Sequence, residues 1–103
     1  MLMDHGALNT TLSAAAGDDP VLIAELRNAF VTSAHRQIDL MARSRCDANW
    51  HYSCLRLKGL AASFDAVEIL DLATEAADGA PGDPAVLRKL GAALARIREN
   101  RFD

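Results

Sequence analysis

Aromatic residues are scarce in this chain, at 5% of its 103 residues, so its core must consist mainly of aliphatic side chains and alanine. β-branched residues are few beside alanine and leucine, and this balance favours helix over sheet. Six glycines and three prolines are too few for a disordered chain. These scarcities predict a small all-α protein with one core.

Positive charge and long apolar runs are also in short supply. The net charge of −3 and the pI near 5.5 argue against nucleic acid as a partner. No apolar run approaches the ~18–20 residues that span a bilayer. Residues 1–4 lack the basic start and apolar core of a signal peptide. We therefore expect a cytoplasmic protein that binds neither nucleic acid nor membrane.

Only two cysteines are present, Cys46 and Cys54, and their spacing fits no metal site. We interpret them as reduced thiols, with a single disulfide as the alternative.

Start and stop signals divide the chain into five predicted helices, over about residues 7–15, 21–44, 48–63, from 66 to Ala77 or Asp78, and from 84 onward. Gly17 is expected to cap the end of the first helix, and an aspartate before Pro20 to cap the start of the second. Asp47 and Asp65 are the predicted caps of the third and fourth helices. The last helix is predicted to begin at Asp83-Pro84 and to carry Arg96, Arg98 and Arg101 near its negative C-terminal end.

Apolar residues recur at three- and four-residue steps, as on one face of a helix. In the second helix the predicted stripe is Leu22, Leu26, Ala29, Phe30, Ser33, Ile38 and Met41, and in the fourth it is Val67, Ile69, Leu70, Leu72, Ala73 and Ala76. In the last helix it is Val86, Leu87, Leu90, Ala93, Leu94 and Ile97. Since the connections are short, we predict one domain over residues 1–103, an antiparallel up-down four-helix bundle with a short extra N-terminal helix.

The third helix carries the candidate binding residues. At 100° per residue, its predicted core stripe is Trp50, Ser53, Cys54, Leu57, Leu60, Ala61 and Phe64. The opposite face holds His51, Leu55, Lys58, Gly59 and Ala62, bordered by Tyr52, Arg56 and Ser63. Glycine inside a helix costs roughly 0.5–1 kcal/mol relative to alanine, yet it keeps the surface low enough for close approach. One interpretation is that this face is a docking surface. The alternative is that Leu55 is one of many scattered surface leucines, or that the N-terminal helix covers it.

Leu57-Lys58-Gly59, with Phe64-Asp65-Ala66 following, resembles the histidine-containing phosphotransfer (HPt) domain. The motif of that family is His-x-Leu-Lys-Gly, followed by an aromatic residue or leucine and then Gly-Ala. The segment 17–22 with Leu26 and Phe30 is similar to the second helix of the family, and Leu70 and Ala73 fit its fourth. The resemblance covers about residues 8–100.

Two positions depart from the HPt pattern. Leu55 occupies the place of the phospho-accepting histidine, and Asp65 that of the later glycine. The resemblance implies that Lys58 lies beside the acceptor position and offsets negative charge, and that Gly59 admits a receiver domain. It gives no catalytic residue, because leucine has no nucleophilic nitrogen.

The resulting hypothesis is a phosphorelay signalling module that is not an enzyme and needs no cofactor or metal. It would bind a response-regulator receiver domain or a histidine kinase, as a monomer or weak homodimer, through His51, Leu55, Arg56, Lys58, Gly59 and Ala62. One alternative is active phosphotransfer by His51, about 6 Å along the helix axis from Leu55. Another is a structural helical bundle that self-associates through this face.

Overall fold

A computed structural model describes residues 6–100 and contains five α-helices, with no β-strand in that range. The helices are α1 (Gly6–Ala16), α2 (Pro20–Ala42), α3 (Asp47–Phe64), α4 (Val67–Asp78) and α5 (Pro84–Glu99). The all-α prediction is confirmed. Within residues 6–100, none of the helices combines the length and the apolar character that a bilayer crossing requires.

Three of the predicted helix caps are present. Asp19 caps α2, with its carboxylate accepting from the backbone N–H groups of Val21 and Leu22, and Asp83 caps α5 by accepting from that of Ala85. Each aspartate is followed by a proline in the first turn, where the missing N–H costs nothing. Gly17 has φ +61 just after α1, the left-handed conformation that ends many helices.

The caps predicted for α3 and α4 are wrong. Asp47 is the first residue of α3, and the cap is Cys46, whose side chain makes no capping hydrogen bond. Asp65 ends α3 instead of starting α4: its φ is +58, and its N–H donates to the carbonyl of Ala62. The next N–H, from Ala66, donates to the carbonyl of Ala61, which completes a Schellman-type ending.

The side chain of Asp65 also joins two parts of the molecule, because its Oδ2 accepts a 2.5 Å hydrogen bond from Thr11 Oγ1 of α1. Asp65→Ala should therefore lower the free energy of unfolding by about 1–2 kcal/mol, through loss of this bond and left-handed strain on alanine. Asp65→Gly should lower it less, since glycine adopts this φ freely. Chemical denaturation of both variants measures the difference, and equal losses would contradict the strain argument.

The predicted apolar stripes need correction at three positions. Leu22, Ala29 and Val67 are exposed, Leu22 at 44% and Val67 at 53%. The buried residues of α2 are Phe30, Val31, Ala34, Ile38 and Met41. Leu22 and Ala29 lie more than a third of a turn from the centre of that buried stripe, at about 130° and 150° around the helix. Val67 is the first residue of α4, where the chain enters the helix.

The core is aliphatic and alanine-rich, as predicted, and its largest buried side chains are Trp50 and Phe30. Helix α3 packs against α2 and α4, α5 packs against the same two helices, and α1 lies on α2 and α3. Trp50 Nε1 donates a buried 3.0 Å hydrogen bond to the carbonyl of Ala76, which joins α3 to α4. The tilted rings of Phe30 and Phe64 lie 5.1 Å apart between α2 and α3.

Two ion pairs connect α4 and α5. Glu68 pairs with Arg96 in a nearly buried position, and Glu75 pairs with Lys89 on the surface at 3.0 Å. Arg96 and Arg98 lie in the last turn of α5, as predicted, and Arg101 falls outside the described residues.

Candidate functional site

Helix α3 presents its two faces as the sequence pattern predicts. Five members of the expected core stripe are buried and the other two, Leu60 and Phe64, are half-buried. The five buried members are Trp50, Ser53, Cys54, Leu57 and Ala61. With this side fixed against α2 and α4, the orientation of the opposite face is determined.

The name docking face is used for the six residues predicted to bind a partner: His51, Leu55, Arg56, Lys58, Gly59 and Ala62. All six lie on α3; five are exposed and Lys58 is half-buried. Leu55 is 47% exposed, so the described part of α1 does not cover it. The alternative in which the N-terminal helix hides Leu55 is therefore excluded for residues 6–16.

Gly59 makes the docking face low. A Cβ atom built on Gly59 would meet no atom of residues 6–100 within 4 Å, so packing within that range does not require glycine there. The Gly59 carbonyl, one turn after Leu55, accepts a 3.0 Å hydrogen bond from Ser63 Oγ. The helix surface is therefore low at Gly59, and nothing packs against this position among residues 6–100.

Arg56 lies at the edge of the docking face, on the side toward α2. Its guanidinium donates a 3.1 Å hydrogen bond to the Tyr52 hydroxyl and lies 5.7 Å from the centre of that ring. This double contact with an exposed tyrosine holds the arginine near the helix surface. The charge is therefore available at the edge of the face.

The remaining candidate groups form no reactive cluster. His51 is exposed and Ser53 is buried on the opposite side of the helix, so the two do not make a catalytic pair. Cys54 is fully buried, and burial raises the pKa of its thiol, so it stays protonated at neutral pH. Cys46 is exposed, and both cysteines are free. Among residues 6–100, no three histidine, cysteine or acidic side chains are grouped to hold a metal.

Sequence reasoning missed a groove of about 590 Å³ between α2 and α3. Its lining residues are Arg36, Gln37, Leu40, Arg43, Ser44, Asn49, Tyr52, Ser53 and Arg56. A sequence signal existed, because Arg36 and Arg43 are seven residues apart and so lie on one side of α2. The contribution of α3 depends on how the two helices pair, which the sequence does not give.

Comparison of the chain with protein-family models, with curated proteins and with solved structures finds no match to any of them.

Proposed function

We propose that this chain is a phosphorelay signalling module of the HPt type that has lost its phospho-acceptor. It binds a receiver domain or a histidine kinase in the cytoplasm and is not itself phosphorylated. The observation that carries the proposal is Leu55, half-exposed at the centre of a face that keeps Lys58 and Gly59 in the motif positions.

The architecture we propose is an antiparallel up-down four-helix bundle with α1 added at its side. Helices α2 to α5 pack in a closed ring of neighbours, which is the pattern of such a bundle. The ion pairs support the antiparallel direction of α4 and α5, because Glu68 pairs with Arg96 whereas Glu75, later in α4, pairs with the earlier Lys89. The bond from Trp50 to the Ala76 carbonyl supports the same relation for α3 and α4.

The chemistry of the docking face favours binding over transfer. Leucine offers an apolar contact where the family has an imidazole, and His51, Arg56 and Lys58 supply a polar rim around it. Apolar burial contributes roughly 25 cal/mol per Å², so a half-exposed leucine contributes about 1 kcal/mol when a partner covers it. Gly59 leaves room for the partner backbone.

Leu55→Asp should weaken binding to a receiver domain at least ~30-fold. The variant loses the apolar contact and buries a carboxylate without a partner, which together cost about 2–4 kcal/mol. Titration by calorimetry with receiver domains encoded in the same genome measures the loss. The matched control is Leu22→Asp, which makes the same change at a leucine of similar exposure, 44%, on α2.

Two outcomes would contradict the proposal: no receiver or kinase domain binds the wild type, or Leu55→Asp binds as tightly as the wild type does. Sizing of the wild type distinguishes the structural alternative. A concentration-dependent dimer that Leu55→Lys abolishes would assign the face to self-association instead.

A further inference from the structure

The groove between α2 and α3 concentrates positive charge in a chain whose net charge is −3. Three of its lining side chains are arginines: Arg36 of α2, Arg43 at the end of α2, and Arg56 of α3. Among the residues that the structure describes, no acidic residue lines it. Arg43 pairs with Asp39 one turn earlier and caps the end of α2, so a helix-stabilising role accounts for it. Arg36 lies two turns before that end, and Arg56 is on the other helix. Stabilisation of the end of α2 therefore explains neither of these two arginines.

Apolar surface lies beside these charges. Leu40 is 46% exposed and Tyr52 is 60% exposed, and both line the groove. Guanidinium groups bind phosphate oxygens in a planar, two-pronged geometry, and exposed aromatic rings and arginines stack on planar groups. The groove volume lies within the range of ~300–1,000 Å³ that small-molecule sites occupy.

We propose that this groove binds a nucleoside phosphate, with Arg36 and Arg56 on the phosphate and the ring of the ligand against Tyr52 and Leu40. The ligand class follows from two features together: two arginines that have no acidic partner among residues 6–100, and an apolar wall that includes an exposed aromatic ring. This binding goes beyond docking of a protein partner, because Arg36, Leu40 and Gln37 lie outside the docking face.

The test is a titration of the ¹⁵N-labelled chain at 150 mM salt with three probes: adenosine monophosphate, adenosine and inorganic phosphate. We expect saturable amide shifts with adenosine monophosphate, centred on the groove, and affinities at least tenfold weaker for adenosine and for inorganic phosphate. Arg36→Gln should weaken adenosine monophosphate binding about tenfold. Arg88→Gln, which removes an equal charge from an exposed position of α5, should not change it.

Three results would overturn the proposal. They are the absence of saturable shifts with adenosine monophosphate, equal binding of inorganic phosphate, and equal losses in Arg36→Gln and Arg88→Gln. Unfolding midpoints of both variants show that each is folded under the conditions of the titration. Because Arg36 is not part of the docking face, failure here leaves the receiver titration of Leu55→Asp unaffected.

Discussion

Glu68→Ala should lower the free energy of unfolding by about 3 kcal/mol, because it breaks the ion pair between Glu68 and Arg96 in a nearly buried place. Glu68 lies in the first turn of α4 and Arg96 in the last turn of α5. Their side chains are only 7% and 18% exposed. Each charge also favours its own helix end, since carboxylates suit N-termini and cations suit C-termini.

The second ion pair between the same helices provides the control. Glu75 and Lys89 are 51% and 55% exposed, so Glu75→Ala should lower the free energy of unfolding by at most ~1 kcal/mol. The two substitutions remove the same group from the same helix, and the pairs differ mainly in burial; Glu68 also lies at the favourable N-terminal end of α4, whereas Glu75 lies near its C-terminal end. Urea denaturation followed by the fluorescence of the buried Trp50 measures both.

The paired replacement Glu68→Leu with Arg96→Met tests the explanation further. If the loss in Glu68→Ala comes from breaking the ion pair, removing both charges should restore most of the stability. Equal small losses in Glu68→Ala and Glu75→Ala would show that water screens the first pair as well as the second. A double variant as unstable as Glu68→Ala would assign the effect to packing instead of charge.

Local signals were sufficient to predict where the helices lie. Asp19-Pro20 and Asp83-Pro84 combine a carboxylate cap with a proline that fits only the first turn, and both helices begin there. Asp65 was misassigned because an aspartate between two helices can either end the first or cap the second. The choice depends on the left-handed φ and on the bond from Thr11, a residue 54 positions away.

The prediction of buried residues is correct where one face of a helix is clearly apolar. It is wrong where the packing of neighbouring helices determines which face is buried. On α3 the tryptophan and the small residues define one buried side, so the exposure of Leu55 and Gly59 followed from the period alone. On α2 the stripe is centred nearer Val31 and Ala34, and Leu22 falls outside it, because the positions of α1, α3 and α5 set its direction. The groove beside Arg36 needed the pairing of α2 with α3 and could not be found from one helix. Partner binding by the docking face stays a prediction.

Leu55→His should acquire a phosphoryl group from a phosphorylated receiver domain, whereas the wild type should acquire none. Under the proposed function, this substitution places an imidazole at the acceptor position of the motif. Lys58 follows three residues later, and the accessible backbone of Gly59 follows one turn later. The P–O bond of the receiver aspartyl phosphate would break, an N–P bond to the imidazole would form, and the aspartate would leave as a carboxylate. The fold should tolerate the change, since substitutions at exposed positions usually alter stability by less than ~0.5 kcal/mol.

The expected effect is large because transfer depends on placement. A displacement of about 1 Å can cost about 100-fold in rate, and His51 lies about 6 Å along the helix from position 55. The label on Leu55→His should therefore form at least ~100 times faster than any label on the wild type. The assay uses a receiver charged with acetyl phosphate and measures acid-labile radioactive label on this chain.

Two comparisons show whether the label depends on the docking face. Leu22→His places an imidazole at a leucine of similar exposure on α2, away from Lys58 and Gly59, and it should stay unlabelled. Labelling of the wild type that His51→Ala removes would instead show that His51 is an active acceptor. A Leu55→His variant that binds the charged receiver yet takes no label would mean that the docking geometry has diverged along with the acceptor. In that case the partner contacts Leu55 in a different way from the one the motif implies, and the lysine and glycine of the face serve binding alone.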